Sequence, residues 1–299
     1  MLIHIPKYIT FVKPYLLPFL FAVLCACSSS KKDQNILLPE LYNLGARINY
    51  SIDGKRDTTL LFVHGWCINK SYWDAQVDFF KSDYTVVTLD LPGHGESGKN
   101  RKAWTVENFA SDVTMVIDAL NLNHVVLIGH SMGGNIILAA ASTRPERVIG
   151  FVGVDNFKDV GVEYTAEQRV EMDQFVDMIK EDYRNTISGY AEGMLFSEST
   201  EDAIEKRVMN DILNTPPEIS VEIIKSLFDV NKRERALMQL LPVKVHLINS
   251  DGIPTNELQL KKYCKNSYEV HSIGPTGHYP MLEEPDRFNE ILENILINL

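Results

Sequence analysis

Cysteine is scarce, with four in 299 residues. That is too few for a disulfide scaffold, and a chain of this length buries enough apolar surface to fold without one. Neither Cys nor His recurs in pairs at zinc-ligand spacing, so no metal is expected, and no cofactor is called for. Positive charge is also short: 29 Lys and Arg stand against 40 Asp and Glu, a formal net charge of −11. Phosphate binding needs a basic face, so this balance argues against nucleic acid as a partner. A bilayer-spanning run is missing too: the apolar stretch Tyr15–Leu24 has only ten residues, where a helix needs about 20. No internal repeat, low-complexity tract or sustained heptad occurs. What remains, 45% apolar and 23% charged, suits one large globular domain or a domain carrying an insertion.

Ahead of that stretch lie Lys7 and Lys13 and no acidic residue, the shape of a secretory signal. Leu24-Cys25-Ala26-Cys27 resembles a bacterial lipobox. The resemblance implies a signal over residues 1–26, acylation of Cys27 and a polar tether over 27–44. The protein is then exported and held at a bacterial membrane surface, on the periplasmic or outer side, by lipid. An ordinary cleaved signal, or an uncleaved one resting on a membrane, is the alternative. Once Cys25 and Cys27 are so used, Cys67 and Cys264 remain; they could pair in an oxidising compartment, but buried free thiols are expected.

Beyond the tether, 47–52 alternates apolar and polar residues like a half-exposed strand, before the turn Asp53-Gly54. Continuous apolar runs at 59–63, 84–89, 125–128, 148–154 and 243–248 predict strands covered on both faces. Helical patterns over 106–120, 132–142, 256–264 and 285–299 alternate with them. This order predicts an α/β fold, a mostly parallel, doubly wound sheet. Residues 157–241 break the alternation with amphipathic helices at 167–183, which places Val170, Phe175, Val176, Ile179 and Tyr183 near one face, 202–213 and 218–228. A loop of that length is improbable, so a helical lid inserted into a core of 45–156 and 242–299 is expected.

Gly129-His130-Ser131-Met132-Gly133-Gly134 follows the strand 125–128 and opens the helix 132–142. A serine at so sharp a turn needs small neighbours, which Gly129 and Gly133 supply, and the turn lifts its hydroxyl above the sheet edge. With this motif the chain resembles the α/β-hydrolase superfamily, in its serine-hydrolase branch, from about Arg47 to Leu299. Other landmarks fit the resemblance: His64-Gly65-Trp66 at the end of one strand, Asp90–Ser97 after the next, and Gly277-His278 after 268–273.

The resemblance implies Ser131 as nucleophile and His278 as base, with an oxyanion hole from the backbone N–H groups of Trp66 and Met132. Asp251, after the strand 243–248, is the expected acid. Asp155, after 148–154, competes, since some members take their acid there. His64 and His94 are expected to shape their loops. Phe175, Ile179, Met194, Leu195 and Phe196 line an acyl pocket or pack the lid itself. Trp66, Cys67 and Trp73 suggest an aromatic wall. The expected activity is hydrolysis of small to medium apolar carboxylic esters through an acyl-enzyme. A carbon–carbon bond hydrolase and a slow-turnover small-molecule receptor stay open as alternatives. The oligomeric state is not readable from the sequence.

Overall fold

The computed structural model describes residues 38–299. The signal 1–26, Cys27 and the tether up to residue 37 lie outside the described residues. Eight strands build the sheet: β1 (Leu41–Asn43), β2 (Ala46–Asp53), β3 (Thr58–Val63), β4 (Thr85–Asp90), β5 (His124–His130), β6 (Val148–Val154), β7 (Val245–Ser250) and β8 (Tyr268–Gly274). Their order is β1-β2-β4-β3-β5-β6-β7-β8. The pairs β1–β2 and β2–β4 are antiparallel, and all others are parallel.

Around the sheet lie α1 (Asp74–Phe80), α2 (Val106–Ala119), α3 (Met132–Thr143), α9 (Glu257–Tyr263), α10 (Pro280–Glu283) and α11 (Pro285–Ile297). Between β6 and β7 the chain forms α4 (Ala166–Glu181), α5 (Tyr183–Met194), α6 (Asp202–Asn214), α7 (Pro217–Phe228) and α8 (Asn231–Leu240). Residues Pro39–Leu299 form one unit.

The strand alternation sorts the core into two layers. Leu61, Leu127, Phe151 and Leu247 face α2 and α3. Leu60, Phe62, Val126, Val152 and Ile248 face α11. Phe62 is fully buried with its ring 5.0 Å from that of Trp73, so Phe62→Ala would cost about 3–5 kcal/mol. In register, Val63 pairs with Gly129, His130 with Val154, and Val154 with Ile248. The carboxyl ends of β3, β5, β6 and β7 therefore finish side by side, where open α/β sheets place their ligands.

Three expectations are corrected. The tether was expected to reach residue 44, yet Leu41–Asn43 is paired with Ala46–Ile48. Leu44 and Gly45 between them have φ of 49° and 86°, the positive values that a two-residue hairpin turn demands. The helix expected over 167–183 ends at Glu181, and Asp182 caps a new one by accepting the N–H of Asn185. Val170, expected on its apolar face, is exposed, whereas Val176 and Ile179 are buried. Cys67 and Cys264 are buried and free, and burial pushes their thiols up to about 12 and about 11. Among the described residues no helix is long and apolar enough to cross a membrane.

Candidate active site

Ser131 sits between β5 and α3 with φ 51° and ψ −121°, a conformation a side-chain-bearing residue holds only when its surroundings enforce it. Its N–H is fixed by the Val154 carbonyl at 2.9 Å. The turn tolerates no Cβ at its glycines. One on Gly129 would lie 2.4 Å from the Gly133 carbonyl oxygen, and one on Gly133 2.4 Å from that of Val63. Gly65 also presses on the turn: a Cβ there would stand 3.2 Å from that of Ser131. The His64-Gly65-Trp66 loop thus adjoins the serine. Met132 is the first residue of α3, so its N–H has no acceptor within the helix.

The carboxylate that His278 meets is that of Asp155. His278 Nδ1 lies 2.6 Å from Asp155 Oδ2. The expected partner, Asp251, is exposed and accepts instead from the hydroxyl of Ser272 at 2.6 Å. Alternation along β7 explains the difference. Ser250 turns towards Asp155, donating from its N–H at 3.0 Å and its hydroxyl at 2.7 Å. The next residue must face the other way, towards β8. Asp155 itself directly follows β6 with φ 42°, a left-handed conformation that Asp tolerates.

The Asp155 carboxylate is fully engaged. Besides Ser250, its Oδ1 takes the Lys158 ammonium at 2.7 Å. Lys158 also donates to the Ser250 hydroxyl at 2.9 Å. Burial alone would push the carboxyl up. The hydrogen bond and charge of His278, with the ammonium of Lys158, carry it well below the usual carboxylate range. Lys158 went unnoticed in the sequence. A basic residue three positions beyond an aspartate that follows a buried strand was the available signal.

The loop of His278 is anchored from two sides. Its N–H donates to the Leu195 carbonyl at 2.9 Å, in the segment after α5. Glu283 accepts from the N–H of Gly277 at 2.9 Å, the hydroxyl of Thr200 at 2.8 Å and the N–H of Tyr279 at 3.2 Å. His130 donates its Nε2–H to the His278 carbonyl at 2.7 Å, and burial and the nearby His278 push its pKa down to about 3. Neutral, it holds the loop through that bond. His64 joins two loops: it accepts the N–H of Leu91 at 2.9 Å and donates to the Gly65 carbonyl at 2.8 Å. His94 packs edge-on against it at 5.1 Å.

Ser131 and His278 open into a cavity of about 590 Å³. Its walls come from α4 (Gln168, Glu171, Met172, Phe175), α5 (Tyr190, Met194), Leu195 and α7 (Ile224, Leu227, Phe228), with Trp66 and Tyr164. The lining residues expected from the sequence divide accordingly. Phe175, Met194 and Leu195 line the cavity, but Ile179 is fully buried in the core layer and Phe196 packs against Tyr279 at 6.5 Å. Of the aromatic wall only Trp66 faces the cavity, 6.4 Å and edge-on to Tyr190. Cys67 and Trp73 are buried in the core.

The family model described as the alpha/beta hydrolase fold matches residues 58–198. The chain is 24% identical over 250 residues to the Karrikin insensitive 2 receptor CA of Petunia hybrida, covering 80% of this chain and 91% of that protein. It is 22% identical over 268 residues to strigolactone esterase D14 of Arabidopsis thaliana, covering 85% and 98%. Among solved structures, Est816, described as an N-acyl homoserine lactone degrading enzyme, matches with TM-score 0.72 and 23% identity, over 86% of this chain and 99% of that one. On its sheet topology and on these likenesses together, the chain has the α/β-hydrolase fold.

Proposed function

We propose that the protein is a serine hydrolase of small to medium apolar carboxylic esters, lactones included, with Ser131, His278 and Asp155 as its triad. The observation that carries this reading is the 2.6 Å hydrogen bond between His278 and Asp155, made at the cavity that Ser131 shares with apolar walls. With Nδ1 donating to the carboxylate, the proton of neutral His278 sits there, and Nε2 is free to accept from Ser131 Oγ as it attacks an acyl carbonyl. Asp155 stays ionised and stabilises the imidazolium that forms. The N–H groups of Met132 and Trp66 are the donors assigned to the oxyanion, each worth about 3 kcal/mol in the transition state. His278 then protonates the leaving alcohol, and water, deprotonated by His278, releases the acid and frees Ser131.

The cavity volume lies within the range of about 300–1,000 Å³ typical of small-molecule sites. An esterase and a lactone-degrading enzyme among the similar proteins support the same bond type. The test is turnover of p-nitrophenyl esters of increasing acyl length by the full chain and its Ser131→Ala variant. Activity with an optimum at short to medium chains, lost in the variant, is expected. No turnover, with Ser131 still labelled by a fluorophosphonate probe, would reject the ester reading.

The likeness to a karrikin receptor over 80% of the chain favours a second reading, a slow hydrolase that signals ligand occupancy. It requires turnover slower than ligand release and a ligand-induced rise in melting temperature. We further propose, from the sequence alone, that acylated Cys27 holds the protein at a membrane surface. Cys27→Ala is expected to move it from the membrane fraction to the soluble one, and retention in the membrane would reject the anchor.

A further inference from the structure

Two histidines and a glutamate converge on the far strands of the sheet, in a cluster with no part in the chemistry above. His246 of β7 pairs in register with Glu269 of β8, and Ile248 with His271. Alternation puts His246, Glu269 and His271 on one face, the face on which Ile248 and Ile273 join the α11 core layer. His246 is buried, His271 half-buried and Glu269 exposed. The two imidazoles stack at 5.6 Å with 17° between their planes.

Their donor atoms form a tight triangle. His246 Nδ1 is 3.3 Å from His271 Nε2 and 3.8 Å from Glu269 Oε2, and His271 Nε2 is 4.0 Å from that oxygen. The point equidistant from all three lies about 2.2 Å from each, at the upper end of Zn–O bond lengths and about 0.1 Å beyond those of Zn–N. We propose that His246, Glu269 and His271 bind one divalent cation of the zinc class, with the fourth coordination position left to water. Two imidazoles select against magnesium and calcium, which prefer oxygen-only sites. Binding replaces the N–H···N hydrogen bond between the rings by two metal–nitrogen bonds, and the shared proton moves to the other nitrogen of its own ring.

One group opposes the cation. Lys244 Nζ lies 2.6 Å from Glu269 Oε2, and its ammonium must swing into solvent when the metal arrives. Both side chains are exposed enough to allow it, at 41% and 47%. Lys244 therefore weakens the site. Sequence spacing does not reveal the site because its two histidines stand on two strands 25 residues apart, whereas the familiar zinc spacings are local.

The bound cation would clip the edge strand β8 to β7. The test is calorimetric titration of the full chain, free of any affinity tag, with zinc chloride at pH 7.5, beside melting curves in zinc and in EDTA. One saturable site is expected, with a rise of about 5 °C at roughly 100 times the dissociation constant. His271→Ala, with its melting in EDTA unchanged, should lose both. Lys244→Ala should bind zinc at least threefold tighter. Absence of saturable binding, or binding kept in His271→Ala, overturns the proposal. Should His271→Ala fail to fold, the Lys244→Ala titration decides: unchanged or weaker binding overturns the assignment of Glu269.

Discussion

Replacing Asp155 by Asn should disable the protein through a proton in the wrong place, not through lost packing. The aspartate receives three donors on Oδ1, from the Ser250 N–H, the Ser250 hydroxyl and the Lys158 ammonium, and one on Oδ2, from His278. An amide has one acceptor oxygen. The three donors claim it, which turns the NH₂ towards His278 Nδ1. That nitrogen must then accept, so the imidazole proton moves to Nε2, where it faces Ser131 and blocks proton transfer. The opposite rotamer restores the tautomer but sets an NH₂ against the ammonium and both Ser250 donors. Wrong-tautomer triads lose roughly ten-thousand-fold in rate, or about 5.5 kcal/mol. In Asp251→Asn the amide oxygen still accepts from Ser272, and labelling should stay within about twofold of the parent. The assay is the rate of Ser131 labelling by a fluorophosphonate, which needs no knowledge of the substrate. Asp155→Asn within tenfold of the parent, or Asp251→Asn down a thousandfold, would refute the assignment.

Lys158→Met tests the ion pair beneath the triad. Asp155 has a folded-state pKa held below its unfolded value, so its stabilisation is complete above the unfolded pKa and is lost as pH falls through the folded one. Removing the ammonium raises the folded value, and acid unfolding should begin at higher pH. The cost at neutral pH is about 3 kcal/mol, because a buried carboxylate is left short of its cation; circular dichroism against pH measures both effects. Glu283→Gln should lower the labelling rate about tenfold and melting by only a few degrees, since one of the three donors that it holds loses its acceptor. Equal labelling would mean that the His278 loop is held without Glu283.

The alternating strands and helices were legible because their signals are local: buried apolar runs, Gly129 and Gly133 around Ser131, and turn residues between elements. The acid was not. Asp251 and Asp155 both follow a predicted strand, and choosing between them needs the facing of Ser250, which depends on the register of β7 with β8 and its shift at Asn249 and Ser250. Helix α5 was missed because Gly189 and Gly193 dilute its pattern, although Ile187 and Ala191 are buried one turn apart. The cavity lining was legible only in part: Phe175, Met194 and Leu195 line it, but Phe175 and Ile179 lie one turn apart on α4 and face the cavity and the core respectively.

The proposed triad straddles β7 without drawing on the loop that follows it. Asp155 comes from β6 and His278 from beyond β8, while residues 251–254 are exposed and a Cβ on Gly252 would meet nothing within 4 Å. That loop is therefore free for remodelling. New termini made by circular permutation at Gly252, or a peptide inserted there, would leave every hydrogen bond of Asp155 in place. The same operation at Gly277 would detach the base from Glu283.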